Sequence, residues 1–355
     1  MDSRAGGGHF AGPVACCLRA RIRLRTTIRS RAKVRDLHDP QAAHACAHKR
    51  RGHGRRHGRP SCDSPGEFLN ASHDSHAEVF HHFTVDVEEY FQVSALEPFV
   101  PRDAWEHLSS RVVDSTLRIV DLLEEAGTLG TFFTLGWVAR RHPELVRRIA
   151  EAGHEVASHG WDHRRVTHLE PSEFREQVRD SRSILEDLSG ERVLGYRAPS
   201  FSIVPGREWA LEILAEEGYT YDSSLYPVRR RGYGYPAADR HPHLIQTPAG
   251  PLHELPPLTV RHWGATLPAG GGGTFRQLPL AYTLRALHAL EREGRGGTFY
   301  IHPWEVDPEQ PRVKGTSLLT RVRHYRGLSR TEARLKRLVA TFRFRSIRET
   351  LAADA

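Results

Sequence analysis

The sequence predicts an α/β fold built on a parallel sheet, open or closed into a barrel, and three observations carry that expectation. From about residue 80, strand-like and helix-like runs alternate over about 220 residues, the order that βαβ units generate. Strand-like runs are rich in β-branched and aromatic residues, while helix-like runs repeat apolar residues at helical spacing. Side chains capable of chemistry (Asp86, His159, Arg197, Asp222 and His302) fall in or just after strand-like runs. Parallel sheets place their active sites at those strand ends.

The elements follow in order. "HHFTVDVEEYF" (81–91) begins as a strand running into an acidic cluster. Residues 109–126 read as an amphipathic helix, with Val113, Leu117, Val120 and Leu123 on one face and Gly127 as its stop. "TLGTFFTLGW" (128–137) is a second strand, and 142–153 a helix with Pro143 near its start and Gly153 at its end. "HEVASHG" is a strand entering a loop, and 170–190 a helix with Ser172 as N-cap candidate. The strand "RVLGYRAPSF", the helix "REWALEILAEEG" and the strand "YTYDSSLYP" come next. A Pro/Gly-rich stretch (227–274) then leads to a helix at 279–293 and the strand "GTFYIHPWE" (297–305).

Charge and cysteine are confined to the first 78 residues. That segment holds 15 Lys+Arg against 7 Asp+Glu, the remainder 36 of each, so the net charge of +8 belongs to it alone. It carries all four cysteines (Cys16, Cys17, Cys46 and Cys62) without zinc-finger spacing, so the rest of the chain can use neither a Cys nucleophile nor Cys-ligated zinc. The expectation for 1–78 is a disordered basic leader, or a start assigned too early. Met1 is the only methionine, so an internal start, for instance at Val79, would need a non-Met codon. Nucleic-acid binding would rest on this segment only and is not expected of the balanced body. No run of 18 apolar residues suggests a membrane span.

His159 and His163 in "SHGWDH" stand at i, i+4, a spacing that in one helical turn puts two imidazoles on one face to share a metal ion. With 23 histidines in the chain such a pair also arises by chance. "TVDVEEYF" adds Asp86, Glu88 and Glu89, three carboxylates that repel one another unless a cation compensates. Either Glu88 or Glu89 can complete a ligand set. Glu88 is favoured, because i and i+2 side chains of an extended strand share a face with Asp86. Trp161, Trp304, Tyr226 and Trp263 could stack on sugar rings or simply pack.

In order and spacing, "TVDVEEYF", "HGWDH", "RAPSF", "YDSS" and "YIHP" resemble the motifs of the NodB-homology polysaccharide deacetylases, carbohydrate esterase family 4. "VDVEEYFQV", "HPWE" and the basic tail resemble the exosortase (PEP-CTERM) locus subgroup. The resemblance spans roughly 80–350 and implies a distorted (β/α) barrel: a catalytic domain over 79–305 with 306–355 packing on it. It implies removal of N-acetyl groups from an exopolysaccharide or its precursor, with a divalent metal (zinc first, cobalt second) on His159, His163 and Glu88. Asp86 would be the base, Arg197 its orienting partner, His302 the acid, and Asp222 the group that orients His302. Trp161, Trp304 and Tyr226 would line the sugar site. An N-acetylated polysaccharide, exopolysaccharide assembly machinery and the cytoplasm or its membrane face follow as partners and place. Two departures stand out: Val87 and Gly160 occupy positions where the family has a metal-binding Asp and a Ser or Thr. Competing functions are small-amide hydrolysis on the same scaffold, as in allantoinase-like relatives, and carbohydrate binding without catalysis.

Overall fold

The computed structural model describes residues 78–353 apart from 231. The expectations for the leader lie outside the described residues. The chain runs β1 (His81–Val87), α1 (Val112–Glu125), β2 (Thr131–Thr134), α2 (Gly136–Arg141), α3 (Pro143–Glu151) and β3 (Glu155–Ser158). It continues through α4 (Pro171–Ser189), β4 (Gly195–Tyr196), α5 (Trp209–Glu216) and β5 (Tyr221–Asp222). Two hairpins follow, β6 (His243–Thr247) with β7 (Gly250–Glu254) and β8 (Thr259–His262) with β9 (Ala265–Pro268). Then come α6 (Gly272–Gln277), α7 (Leu280–Arg292), β10 (Thr298–Ile301), α8 (Leu318–Tyr325), α9 (Thr331–Val339), β11 (Phe344–Arg345) and α10 (Ile347–Ala353).

The strands of the main sheet lie in the order β10-β1-β2-β3-β4-β5-β7-β6, with β11 pairing the start of β1. All pairs are parallel except β6–β7. The outer strands β10 and β6 do not pair with each other, so the sheet is a curled half-barrel rather than a closed one. Every residue of β1 is buried. Because side chains alternate, Phe83, Val85 and Val87 project to one face and His82, Thr84, Asp86 to the other. The β1 sequence therefore builds an apolar packing face and a polar face in one seven-residue strand.

Several boundaries differ from the sequence reading for identifiable reasons. The second strand ends at Thr134, and Gly136 and Trp137 open a helix instead. The 170–190 helix is capped by Glu170, not Ser172: Pro171 takes the first helical position and Glu173 accepts the Glu170 N–H at 2.9 Å, a reciprocal capping box. On α1 the buried stripe is Val112, Ile119, Val120, Leu122 and Leu123, one position off the predicted face, which leaves Val113 and Leu117 half-buried at its edge. The Pro/Gly-rich stretch hides two antiparallel hairpins, whose polar alternation gives little strand signal.

Candidate active site

The polar face of β1 is where the site starts. Arg197, fully buried just past β4, extends one Nη1 to Asp86 Oδ1 at 2.6 Å and to Thr84 Oγ1 at 2.7 Å. Its Nη2 and Nε bond Ser223 Oγ (2.8 Å) and Ser223 O (3.2 Å), and its guanidinium lies 4.1 Å from the Phe133 ring centroid. Asp86 is 2% exposed, so this is a desolvated pair, and every guanidinium nitrogen has a partner. The family resemblance implied that Arg197 holds Asp86, and the structure brings the two into contact.

Beyond the strand end, one ligand atom each from Glu88, His159 and His163 lies within 4.8 Å of the others, all three side chains buried. The spacing does not act through a helical turn as expected. Residues 159–165 form an irregular loop in which Gly160 (φ +77°) and His163 (φ +58°) both take left-handed conformations. A non-glycine residue held there is strained, a feature that concentrates at functional sites. The same φ at Gly160 disfavours the family's Ser or Thr. The two rings end 5.6 Å apart. His159 Nδ1 donates to Arg197 O at 2.8 Å, which leaves its Nε2 lone pair for the site. Burial pushes the His159 imidazolium down to about 4, so the ring is neutral near pH 7.

Glu88 and Glu89 diverge. Glu89 accepts from Ser110 Oγ and, at 3.0 Å, from the Arg111 backbone N–H, so it caps the start of α1 and faces away from the histidines. Glu88 Oε1 accepts from Trp304 Nε1 at 3.0 Å. Its Oε2 lies 2.7 Å from His163 Nε2 yet has no hydrogen-bonding geometry: two ligand atoms converge on one point. Burial opposes ionisation of Glu88, but the His163 and His302 imidazoles hold its carboxyl well below the usual range. Two imidazoles and an ionised carboxylate with an orphaned oxygen fit a divalent cation, and they leave positions open for water or substrate.

His302 follows β10, with Nε2 3.8 Å from both Asp86 Oδ2 and Glu88 Oε1. Its Nδ1 meets Glu305 Oε2 at 3.1 Å, and Arg276 Nε donates to Glu305 Oε1 at 2.8 Å. Burial disfavours the imidazolium, but the charges of Glu88, Glu305 and Asp86 outweigh it and raise His302 to about 9. The expected partner Asp222 is elsewhere. It accepts from Ser224 Oγ (2.6 Å) and Ser224 N (3.1 Å), and is register partner to Glu254 on β7. Burial, then the Asp222 charge, raises the Glu254 carboxyl well above its ordinary range. Asp222 thus holds Ser224, whose Oγ accepts the N–H of Ala198 next to Arg197 at 2.8 Å, and does not touch His302.

A cavity of about 360 Å³ opens over Asp86, Glu88, His159, His163 and His302. Of the three aromatics assigned to sugar binding, only Trp304 lines it. Trp161 packs over Gly136 and under Arg140, and Tyr226 lies behind Phe201 and Tyr300. Trp263 is 95% exposed at the tip of the β8–β9 hairpin, stacked on His262. The aromatic walls are Phe201, Tyr233 and Tyr300 instead. Tyr300 was not assigned from sequence, although it stands two residues before His302 and the extended backbone through both puts them on one face. Glu305 and Arg276 were not assigned from sequence. The i, i+3 spacing in "HPWE" signals the first, but nothing local signals the second.

Residues 105–221 match the family model described as polysaccharide deacetylase, and 223–352 match one described as a domain of unknown function (DUF3473). This chain carries a polysaccharide deacetylase domain. It is 32% identical over 101 residues to a peptidoglycan-N-acetylglucosamine deacetylase of Bacillus cereus, covering 28% of this chain and 37% of that protein. It is 25% identical over 123 residues to a chitooligosaccharide deacetylase of Bradyrhizobium, covering 34% and 54%. The chain thus spans about a third to a half of the length of these relatives. A crystal structure of a putative polysaccharide deacetylase from Mycobacterium smegmatis shares the fold, with TM-score 0.50, 23% identity and 74% and 83% of the two chains covered. Among the described residues no helix is long and apolar enough to cross a membrane.

Proposed function

We infer that this chain is a metal-dependent hydrolase that removes N-acetyl groups from an exopolysaccharide or its precursor. The observation that carries the reading is the convergence, in one cavity, of a three-ligand set (Glu88, His159, His163), an Arg-held carboxylate (Asp86) and a Glu-held imidazole (His302). The relatives, named as deacetylases of peptidoglycan and chitooligosaccharide, support the substrate class. Glu88, His159 and His163 would hold the ion, zinc by their donor chemistry. When bound, it supplies Lewis acidity toward the amide carbonyl and water.

The chain's own residues do the rest. Asp86, paired with and aimed by Arg197, takes the proton from the attacking water. His302, held by Glu305, donates a proton to the departing amine. Acetate and a free amino sugar leave. A place beside exopolysaccharide assembly machinery at the cytoplasmic face of a membrane belongs to the same reading and rests on the sequence resemblance alone.

The test is metal content and acetate release from N-acetylglucosamine oligomers for the wild type, His159→Ala and Asp86→Asn. His159→Ala is expected to lose metal. Asp86→Asn is expected to keep it and lose roughly 10²–10⁴-fold in rate, as expected for a general base. Full activity in both variants overturns the reading.

A further inference from the structure

The outer surface of α8 carries an apolar stripe ringed by basic residues. Leu318, Leu319 and Val322 are 76%, 58% and 40% exposed, three of the seven large hydrophobics left open among the described residues. Phe99, 38% exposed, belongs to the same surface: a Cβ placed on Gly315 would meet its ring at 3.8 Å. Leu318 and Val322 stand at i, i+4 with Leu319 beside them, so they form one continuous stripe. The C-terminal turn of α8 is anchored by buried His324, opposite the stripe and stacked 4.4 Å from Trp304, and by buried Tyr325. The stripe therefore faces outward on a helix fixed in place.

The charge around the stripe is of one sign. Between Glu309 and Glu332 the sequence holds Arg312, Lys314, Arg321, Arg323, Arg326 and Arg330 and no Asp or Glu. All six are exposed, and among the described residues none is in an ion pair with a carboxylate. A protein-binding face of this composition would need an acidic, apolar counterpart. A leaflet of anionic lipid offers phosphate charge at the headgroups and hydrocarbon just below, matching basic residues that flank an apolar stripe.

We propose that α8 and the loop before it form a docking surface for an anionic lipid bilayer, with Leu318, Leu319 and Val322 inserted at the acyl boundary and the flanking arginines on the headgroups. Phe99 ties this surface to the cavity, because Val93, Ser94 and Ala95 of the same loop form part of its wall. A docked molecule would carry its cavity at the lipid surface, suited to a substrate presented on a lipid anchor. That last consequence rests on the deacetylase reading; the docking itself does not.

The test uses the full chain with vesicles of phosphatidylcholine alone or with 3:7 phosphatidylglycerol to phosphatidylcholine, read by co-sedimentation and by amide hydrogen exchange. Expected are binding to the anionic vesicles only, loss of binding in high salt, and slowed exchange across 313–326. The pair Leu318→Ser with Leu319→Ser is expected to weaken binding about tenfold or more, and Arg321→Glu with Arg323→Glu to do the same. Acetate release from a soluble oligomer, which involves none of these four residues, reports that the variants remain folded. Binding that persists unchanged in both variants, with protection confined to residues 1–77, overturns the proposal. So does a concentration-dependent dimer that the same variants abolish without any vesicle binding.

Discussion

Replacing Arg197 by Met removes a buried cation while keeping most of the side chain's length. In the wild type Asp86, 2% exposed, receives a 2.6 Å bond from Arg197 Nη1, and its other near cation is His302 at 3.8 Å. Without the guanidinium, Asp86 is left buried with one weak partner, and Ser223 Oγ and O and Thr84 Oγ1 each lose a donor. Breaking a buried pair from one side costs about 3–5 kcal/mol. For a domain of this size that lowers Tm by roughly 6–20 °C. Asp86→Asn removes the stranded charge, so the double variant is expected to be less destabilised than the sum of the singles by about 1–3 kcal/mol. Thermal and urea unfolding of all four proteins, in chelator so that metal binding does not enter, measures this. A fall of less than about 1 kcal/mol for Arg197→Met, or strict additivity in the cycle, refutes the pairing.

Three further outcomes follow from the geometry. Glu305→Gln should lower kcat by roughly 10–100-fold, part of what a general acid supplies, with KM and metal content unchanged; metal loss would show that Glu305 acts on the ligands instead. His154, pushed down to about 4 by burial in the native state, titrates near 6.5 when unfolded. The unfolded chain therefore binds the extra proton first, and this group's contribution to stability falls as pH drops from about 6.5 towards 4. His154→Asn, which can keep an acceptor for the Gly130 N–H, should fall less steeply between pH 6 and 4.5, by roughly 1.4 kcal/mol per pH unit in urea unfolding; identical slopes would contradict it. Gly195→Ala would drive a methyl group into the fully buried Tyr221 ring and should cost about 1–3 kcal/mol or more, checked by the urea midpoint.

What could be read from the sequence tracks how local the physics is. The parallel sheet was legible because strand and helix periodicities alternate, and strand-end positions pointed to Asp86, His159, Arg197 and His302. Glu88 over Glu89 followed from the two-residue period of β1, even though Glu88 lies one residue past the strand. What failed depends on distant partners. Asp222 looks like a strand-end acid, but its neighbours across the sheet are Tyr196 and Glu254, which no spacing in the sequence reveals. Trp161 stands between the two histidines yet turns outward, because Gly136 leaves room for its ring on the far side of the loop. Arg276 reaches the site across 29 residues, with its other donors on the carbonyls of His324, Arg326 and Arg323.

Those bonds bear on how the two family-model segments relate. Asp86 and Glu88 precede both matches and His159, His163 and Arg197 lie in the 105–221 match, whereas His302, Glu305, Arg276 and Trp304 all lie within the 223–352 match. The matched segments are not two separate bodies, since β5 pairs with β7, Tyr221 opposite His253, and the residues before both join them. β10 pairs with β1 over Val85↔Ile301, next to Asp86, and Trp304 Nε1 holds Glu88 Oε1 at 3.0 Å. Trp304 in turn stacks on His302 and His324. The displaced carboxylate thus has a physical basis. Val87 points into the apolar face of β1, fully buried, where an aspartate would be desolvated without a partner. One residue on, Glu88 returns to the polar face and is fixed by an indole from the later segment. The departure from the family pattern and the segment of unknown function therefore meet at one hydrogen bond.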